Sequence, residues 1–303
     1  MAVKSVQIII NGVTTTLTLN SSTGLYEGSV TAPDKSSYNI NSGHYYPVTI
    51  KATDDAGNTT TVNDTDSSLG ASLKLTVKEK TAPVITITSP TESAKLTNNK
   101  PTIQWKVTDA DSGVNPDTIS ITIDSGNEIT SGITKSAITN GYQCTYAIPT
   151  ALSDGSHTVK FNASDYDGNA ATQKTVNFGV DTVPPTLSVT SPVNNLVTNS
   201  KTVSVAGTTN DATSSPVTLT IKLNSGTAET VTVSSNGAFS KSLTLAEGTN
   251  TIVITAKDNA GKTSSITRTV VYDAKAPVIS QVNVTPNPAN TGDVLTISVK
   301  VTD

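Results

Sequence analysis

The stretch Ala163–Asn169, ASDYDGN, recurs in two near copies, Ala52–Asn58 (ATDDAGN) and Ala256–Lys262 (AKDNAGK). Asp and Asn side chains bond nearby backbone groups, and glycine adopts positive φ at no steric cost, so each copy predicts a tight turn. The flanking residues alternate apolar and polar, as at Ile252 and Ile254, which is the period-two pattern of half-buried strands. Each copy is therefore interpreted as the loop of a late β-hairpin.

A second motif occurs three times, as Ala82–Ile87 (APVITI), Pro184–Val189 (PPTLSV) and Ala276–Gln281 (APVISQ). Proline lacks a backbone N–H, so it suits an edge strand at the start of a domain and stiffens the linker before it. Short strands at this spacing, such as those predicted at residues 84–88 and 102–108, indicate an antiparallel β-sandwich. We expect an all-β chain with a helix content near zero.

These two motifs resemble the bacterial immunoglobulin-like (Big-type) repeats of phage structural proteins and bacterial surface adhesins. The resemblance covers nearly the whole chain. It implies tandem Ig-like antiparallel β-sandwiches in an elongated rod, with an incomplete first domain and a C-terminal two-strand extension. Such domains serve as spacers, adhesins and virion decorations, so the resemblance specifies the fold better than the partner.

Alignment of the repeats predicts four segments. These are an Ig-like domain lacking its first two strands (residues 1–79), two complete Ig-like domains (80–180 and 181–273) and a two-strand extension (274–303). The segment Val6–Asn11 matches strands from the middle of the complete domains. The segment from Ala276 onward, ending in Val294–Asp303, matches the first two strands of the second domain through Lys106–Asp109.

The extension thus carries the two strands that the first domain lacks. We expect the extension of one copy to complete the first domain of the next by β-strand complementation, giving a head-to-tail homopolymer. The two surfaces differ, so the contact yields a closed ring or an open filament, and a stiff rod favours the filament. Two alternatives stay open: the extension pairs with a different protein, or the sequence is a fragment of a longer chain. The predicted joint residues are Val6, Ile8 and Ile10 on the acceptor and Val278, Val282, Val284, Leu295, Ile297, Val299 and Val301 on the donor.

Acidic residues recur after the second strand, in the last hairpin loop and in the linker of each predicted domain. These places meet at one end of an Ig-like domain, which resembles the calcium-stiffened junctions of cadherin-like and adhesin repeats. Calcium prefers such carboxylate oxygens. The predicted ligands are Glu79, Asp109, Asp111, Asp165 and Asp167 in the second domain, Asp181, Asp211 and Asp258 in the third, and Asp273 and Asp303 with Asp54, Asp55, Asp64 or Asp66 in the rejoined domain. The alternative is that they only cap turns and keep loops soluble.

Composition argues against several classes of function. Charged residues make up 15% of the chain with a net charge of −4 and no basic run, so no nucleic-acid partner is expected. An apolar run of about 18 residues is missing, so no membrane insertion is expected. No signal peptide is visible, so we expect a virion-associated or extracellular filament released by lysis or non-classical export, of phage or prophage origin. The single Cys144 excludes an intrachain disulfide framework and is expected to be a buried thiol.

The sequence contains no catalytic constellation, with two histidines, one cysteine and no Gly-x-Ser-x-Gly motif. His157 is interpreted as a packing residue and Trp105 as buried between sheets. The leading prediction is a non-enzymatic structural protein with calcium as its one candidate cofactor. The alternative is a monomeric or anchored adhesin that holds a host-surface glycan or a phage or cell-surface anchor protein. Its platform would be Tyr26, Tyr38, Tyr45 and Tyr46, although core and strand-pair positions explain these rings more simply.

Overall fold

The computed structural model describes residues 2–303, in which regular structure is β except for one 3-10 helix, Gly70–Leu73. Strands account for 53% of the chain and helix for 1%, so the predicted all-β fold of tandem Ig-like sandwiches is confirmed. Among residues 2–303, no helix is both long and apolar enough to cross a bilayer. The chain divides into two compact units, residues 1–94 with 99–179 and residues 95–98 with 180–303.

The first unit begins with one antiparallel sheet. Its strands are β1 (Val3–Ile10), β2 (Val13–Asn20), β3 (Leu25–Glu27), β4 (Tyr46–Asp54), β5 (Thr59–Val62) and β6 (Lys74–Leu75). They pair in the order β3-β2-β1-β4-β5, with β6 beside β4. The sheet buries Ile10, Tyr46 and Val48, against which Ile8 and Ile50 pack as partly buried neighbours.

The first unit continues with two further sheets. The strands of this stretch are β7 (Val84–Ser89), β8 (Lys95–Leu96, within the second unit), β9 (Thr102–Thr108), β10 (Val114–Ile123), β11 (Glu128–Ile129), β12 (Thr134–Ile138), β13 (Gly141–Ala147), β14 (Gly155–Asp165) and β15 (Lys174–Val180). One sheet has the order β12-β13-β9-β7, and the other contains β11-β10-β14-β15. Trp105 of the first packs edge-on against Phe161 of the second, with ring centroids 5.3 Å apart. Trp105 and Cys144 are fully buried, as the sequence predicts.

The second unit contains another sandwich and a separate hairpin. Its strands are β16 (Thr186–Ser191), β17 (Leu196–Thr198), β18 (Thr202–Asn210), β19 (Thr218–Leu223), β20 (Glu229–Val231), β21 (Ala238–Thr244), β22 (Gly248–Lys257), β23 (Thr263–Tyr272), β24 (Val278–Thr285) and β25 (Thr296–Thr302). The sandwich has the sheets β16-β18-β21 and β17-β23-β22-β19-β20, and β24 pairs with β25 alone. The elongated shape and the boundaries at residues 79, 180 and 273 stay predictions.

The repeated turn motif closes the same hairpin in each case, β4 to β5, β14 to β15 and β22 to β23. In all three the aspartate amide donates to the carbonyl oxygen four positions on, at 3.0 or 3.1 Å, and these residues are Asp54, Asp165 and Asp258. The glycines have φ of +88°, +95° and +100°, and they are Gly57, Gly168 and Gly261. This is the left-handed region that other residues adopt at a steric cost. The prediction of three late hairpins is confirmed.

Candidate functional site

Three of the predicted acidic ligands come together in the first unit. Glu79 lies between β6 and β7, Asp109 follows β9, and Asp165 ends β14. One carboxylate oxygen from each lies within 4.8 Å of the other two. Asp109 and Asp165 are buried and Glu79 is half-buried. Water therefore screens the mutual repulsion of these carboxylates poorly.

Hydrogen bonds tie the surrounding loops to this first acidic cluster. Asp109 Oδ1 accepts two amides of its own loop at 2.9 and 3.0 Å. Asn169 donates its backbone and side-chain amides to Asp165, both at 2.7 Å. The Ser112 amide donates to Glu79 Oε1 at 2.6 Å. Burial raises the pKa of the Glu79 carboxyl, the bonds from Ser112 oppose this, and the negative charge of Asp109 raises the pKa further.

A second acidic cluster of the same kind lies in the second unit. Asp181 precedes β16, Asp211 follows β18 and Asp258 follows β22. Their carboxylate oxygens also lie within 4.8 Å of one another, and their exposures are 1%, 8% and 4%. Each residue uses Oδ1 to accept amides of its own loop, at 2.6 to 3.2 Å. These three aspartates therefore do cap their loops, as the alternative to calcium binding expects. The capping amides bond only one oxygen of each of the three carboxylates.

Both clusters contain buried polar atoms that have no hydrogen-bond partner within residues 2–303. In the second cluster these are Asp181 Oδ2, Asp258 Oδ2 and the Ser214 hydroxyl, and in the first the Ser112 hydroxyl. More than nine in ten buried polar groups in folded proteins are paired, so each of these atoms needs an explanation. Within residues 2–303 four of the five buried side-chain atoms without a partner lie at the two clusters, the fifth being Trp105 Nε1, and this concentration points to a shared cause.

The other predicted ligands lie outside the two clusters. Asp111 accepts the Ser36 amide at 3.1 and 3.2 Å, and Asp167 accepts the Glu79 amide at 3.0 Å. The remaining candidates divide by burial and local bonding: Asp64 accepts the Tyr45 hydroxyl at 2.9 Å, Asp66 caps its own turn, Asp54 and Asp273 are half-buried, and Asp55 and Asp303 are exposed.

Five of the seven predicted donor residues, Val282, Val284, Ile297, Val299 and Val301, lie on the apolar face of the β24–β25 hairpin. Of the other two, Val278 pairs with Thr302, so that Ile279 takes its place on this face, and Leu295 lies just before β25. The cross-strand pairs on that face are Ile279 with Val301, Val282 with Val299, and Val284 with Ile297. The opposite face carries polar pairs such as Asn283 with Ser298. Most of the apolar side chains are at least half exposed, from 50% for Val299 to 64% for Ile297. Exposed apolar faces of this kind are uncommon on soluble monomeric proteins.

The predicted acceptor residues lie on β1, which pairs with β4 as β19 pairs with β22. Val6 faces Ala52 and Ile8 faces Ile50, and the corresponding pairs of the second unit are Leu219 with Ala256 and Ile221 with Ile254. The second-unit residues are buried at 0 to 2%, whereas the first-sheet residues are only half-buried. The first sheet therefore lacks the layer that covers its counterpart.

The sequence analysis missed two parts of these sites, although each has a signal in the sequence. The first part is the pair of hydroxyls of Ser112 and Ser214. Each serine follows its cluster aspartate, Asp109 or Asp211, by three residues, and this equal spacing is the signal. The other is the segment of residues 28–33, which belongs to no strand. It borders a groove of about 460 Å³ lined by Ile10, Val30 and Ala32 among others. Its signal is the Ser-x-Gly turn that precedes both β3 and β21.

Comparison with known proteins agrees with this architecture. Residues 76–182 match the bacterial Ig-like domain family. The chain is a tandem immunoglobulin-like repeat protein. Residues 185–274 of this repeat protein match domain B of glucodextranase. No curated protein matches the sequence.

Solved structures resemble the repeat protein at low sequence identity. The fibronectin(III)-like modules of Clostridium thermocellum CbhA are 17% identical over 63% of this chain and 95% of theirs, with a TM-score of 0.37. Immunoglobulin domains 1–5 of Sidekick-1 are 13% identical over 99% of this chain and 60% of theirs, with a TM-score of 0.40. Bacterial Ig-like domains of the family that residues 76–182 match are typical of structural and adhesin-type proteins and are generally non-enzymatic.

Proposed function

We propose that the repeat protein is a structural protein that assembles head to tail, with the β24–β25 hairpin of one copy covering the first sheet of the next and completing its sandwich. The observation that carries the proposal is the match between two open surfaces, a half-covered sheet and a hairpin with an exposed apolar face. Each corresponds to a paired element of the complete sandwich in the second unit.

The hairpin corresponds to β16 and β18 of that sandwich. Val278 pairs with Thr302 as Thr186 pairs with Asn210, and each hairpin starts after a proline. A constant offset of 92 residues relates Thr302 to Asn210 and the rest of β25 to β18. On this offset Leu295 and Ile297 correspond to the buried Val203 and Val205. The exposed residues therefore have the pattern of a strand that belongs inside a sandwich.

The acceptor edge for β25 is the segment of residues 28–33. Gly24 before β3 and Gly237 before β21 both have positive φ, +73° and +83°, which sets an offset of 213 residues. In the second unit β21 pairs with β18, with Ser242 opposite Ser204. The same register places Ser29 of one copy opposite Thr296 of another. It also lays the apolar face of the hairpin over the groove beside Val30.

The gain from such a joint is large. Covering about seven aliphatic side chains stabilises the contact by roughly 10–20 kcal/mol before the cost of association and ordering. Main-chain hydrogen bonds along the added strand fix the register. The donor and acceptor are different surfaces, so each copy that has docked its hairpin still offers a free first sheet to another copy, and the contact can repeat along a chain of copies. A fibre follows where the rotation per copy does not close a ring.

Paired cysteines test this register. In the Ser29→Cys, Thr296→Cys double variant we expect oxidation to give a ladder of covalent dimers, trimers and longer species on a denaturing gel, because directly opposed strand residues lie within reach of a disulfide. Mixing the two single variants should give a covalent dimer and nothing longer. Cys144 does not interfere, since it is buried and burial raises the pKa of its thiol to about 11.

The matched control places the second cysteine on the neighbouring strand. In Ser29→Cys, Asn283→Cys the two sites are two strands apart, about 10 Å, which is too far for a disulfide. Equal ladders from both double variants, or no ladder from Ser29→Cys, Thr296→Cys, would overturn the proposal. Light scattering on the wild-type chain at increasing concentration provides a check without mutation.

The setting of this fibre is part of the proposal. An extracellular or virion-associated position and a surface anchor protein at one end are compatible with a repeat protein built of Ig-like domains. A host glycan as a second partner stays a prediction from the sequence.

A further inference from the structure

We infer that the two acidic clusters are binding sites for a hard divalent cation, with calcium as the best match. We infer further that a third site of the same composition forms at the joint between copies. The third site rests on the proposed assembly, whereas the first two stand on the residues of one chain.

The spacing of the oxygens matches a shared ion. Calcium binds oxygen ligands at about 2.3–2.6 Å, so two ligands of one ion are at most about 5 Å apart. In both clusters the three carboxylate oxygens lie within 4.8 Å of one another. The sites therefore need no large rearrangement to close on an ion.

Burial and charge make a cation the natural partner. Asp181, Asp211 and Asp258 are each at least nine-tenths buried and lie on three separate segments. Carboxylates at this separation repel strongly where water is excluded. A divalent ion at their centre converts this repulsion into attraction and joins the three segments. Burial raises the pKa of the Asp181 carboxyl, but the nearby Ser214 and Thr213 hydroxyls, the Val183 amide and the charge of Lys262 outweigh it, so the pKa is lowered and the carboxylate stays ionised. The one positive charge of Lys262 does not balance three carboxylates.

The unpartnered atoms are the second and independent observation. Asp181 Oδ2 and Asp258 Oδ2 are buried and accept no hydrogen bond within residues 2–303, although Oδ1 of each residue is bonded. The Ser214 hydroxyl is buried and lies near Asp181 but makes no hydrogen bond of good geometry. The Ser214 amide donates to Asp211 Oδ1, and the Ser214 carbonyl oxygen accepts the Asn259 amide. An ion or its bound water satisfies all three atoms at once. Ser112 occupies the same position in the first cluster, where its amide donates to Glu79.

The same triad recurs a third time, divided between the two surfaces of the proposed joint. Asp273 lies five residues before Val278, as Asp181 lies five before Thr186, and Asp303 follows β25 as Asp211 follows β18.

The parts of this divided triad already have the local bonding of a complete cluster. The Lys275 amide donates to Asp273 Oδ1 at 2.9 Å, the counterpart of the bond to Asp181. Asp54 Oδ1 accepts the Asn58 amide at 2.9 Å, the counterpart of the bond to Asp165. Asp273 and Asp303 of one copy would therefore meet Asp54 of the next when the hairpin docks.

Titration calorimetry with CaCl₂ on chelator-treated full-length protein tests the intrachain sites. We expect two ions per chain in the unassembled protein. The Asp258→Asn variant should lose one of them, and Asp165→Asn should lose the other. Glu247→Gln removes the same charge at an exposed position and should keep both. Absence of calcium heat in the wild type, or full binding in Asp258→Asn, would contradict the proposal.

A thermal scan guards against variants that fail to fold. Calcium binds the folded state, so the melting temperature of the wild type should rise steadily with calcium concentration. A melting temperature that does not respond to millimolar calcium would contradict the proposal without any mutation. Mg²⁺ at equal concentration should have a smaller effect, because it demands stricter octahedral geometry.

The third site is tested separately by Asp303→Asn. Asp303 is exposed, so the variant should fold and, at concentrations too low for assembly, bind two ions as the unassembled wild type does. In the covalent ladder of Ser29→Cys, Thr296→Cys we expect close to three ions per chain, falling to two when Asp303→Asn is added. If the ladder forms but binds two ions per chain both with and without Asp303→Asn, the third site is contradicted and the proposed assembly is supported. If no ladder forms, the proposed assembly is contradicted, while the two sites within one chain are unaffected by this result.

Discussion

His157 places both of its ring nitrogens against hydrogen-bond acceptors. Nδ1 lies 2.9 Å from Asp124 Oδ2, and Nε2 lies 2.8 Å from the Ser153 carbonyl oxygen. Only the doubly protonated ring can donate at both positions. Burial lowers the pKa of His157, but the bonds to Asp124 and Ser153 outweigh it, so the pKa is raised above its ordinary value of 6.5. The charged ring is thus part of the folded state.

This arrangement makes the stability of the first unit depend on pH. The contribution of His157 is fully present below pH 6.5 and is lost as the pH rises through the raised folded-state pKa. We expect the stability difference between wild type and His157→Gln to shrink as the pH rises from about 6 to about 9. Urea unfolding at a series of pH values measures it. A difference that stays constant or grows with pH would contradict the expectation, and Asp124→Asn should flatten the wild-type profile.

The sequence predicts the burial of His157 but not its charged pairing. Its position beside Val159 on an alternating strand correctly indicates burial, and the exposed fraction is 6%. The charged pairing is not predictable, because Asp124 comes from the turn after β10, 33 residues earlier. Pairing across a sheet depends on the register of both strands, which a local pattern does not specify.

At the scale of elements, the loop of residues 36–39 docks on the loop of residues 109–113. The Ser36 amide donates to both oxygens of Asp111, and Asn39 Nδ2 donates to the carbonyl oxygens of Asp111 and Ser112 at 2.6 and 3.2 Å. Tyr38 stacks on Tyr166 with ring centroids 4.1 Å apart. The first sheet is thereby held to the loop that also carries the first acidic cluster.

Removing the Asn39 side chain should loosen this contact without unfolding either sheet. Hydrogen bonds of this kind contribute about 1 kcal/mol each. We expect Asn39→Ala to raise the hydrogen-exchange rate of the Ser36 amide by roughly tenfold, since about 1.4 kcal/mol corresponds to a factor of ten. The control is Asn20→Ala, whose side chain bonds Glu27 within the first sheet. Equal exchange in Asn39→Ala and wild type would show that the loop contact contributes nothing.

The sequence predicts the strands and hairpins well, but it does not predict how the loops between them orient their side chains. The Asp–Gly motif and the alternating residues around it correctly place three hairpins, because turn chemistry and strand period are local properties. The acidic clusters were predicted as groups, but Asp111 and Asp167 turn to backbone amides instead. Which oxygen faces the centre of a cluster depends on how three separate loops are held, and that is a tertiary property.

At the scale of the whole molecule, the two apolar cores differ in completeness. Among residues 2–303 the cluster beside the first sheet has three buried side chains, whereas that of the second-unit sandwich has thirteen. Both use strands in the same register, so the difference lies in the covering layer rather than in the sheet. The missing layer and the uncovered hairpin belong to the same chain, which allows the pairing to be made within one molecule by rearranging it.

A rearranged chain tests this directly. Residues 276–303 are placed before residue 1, joined by two added residues, because six residues separate Asp211 from Thr218 and four would separate Asp303 from Ser5. We expect this chain to be a monomer whose melting temperature does not change with concentration. The half-buried Val6, Ile8 and Ile50 should become fully buried, which raises the stability of the first sheet by several kcal/mol. Native-state proteolysis, light scattering and thermal scans at several concentrations provide the measurements. If the rearranged chain still forms long species, or if its first sheet is cleaved as fast as in the wild type, the hairpin does not complete that sheet.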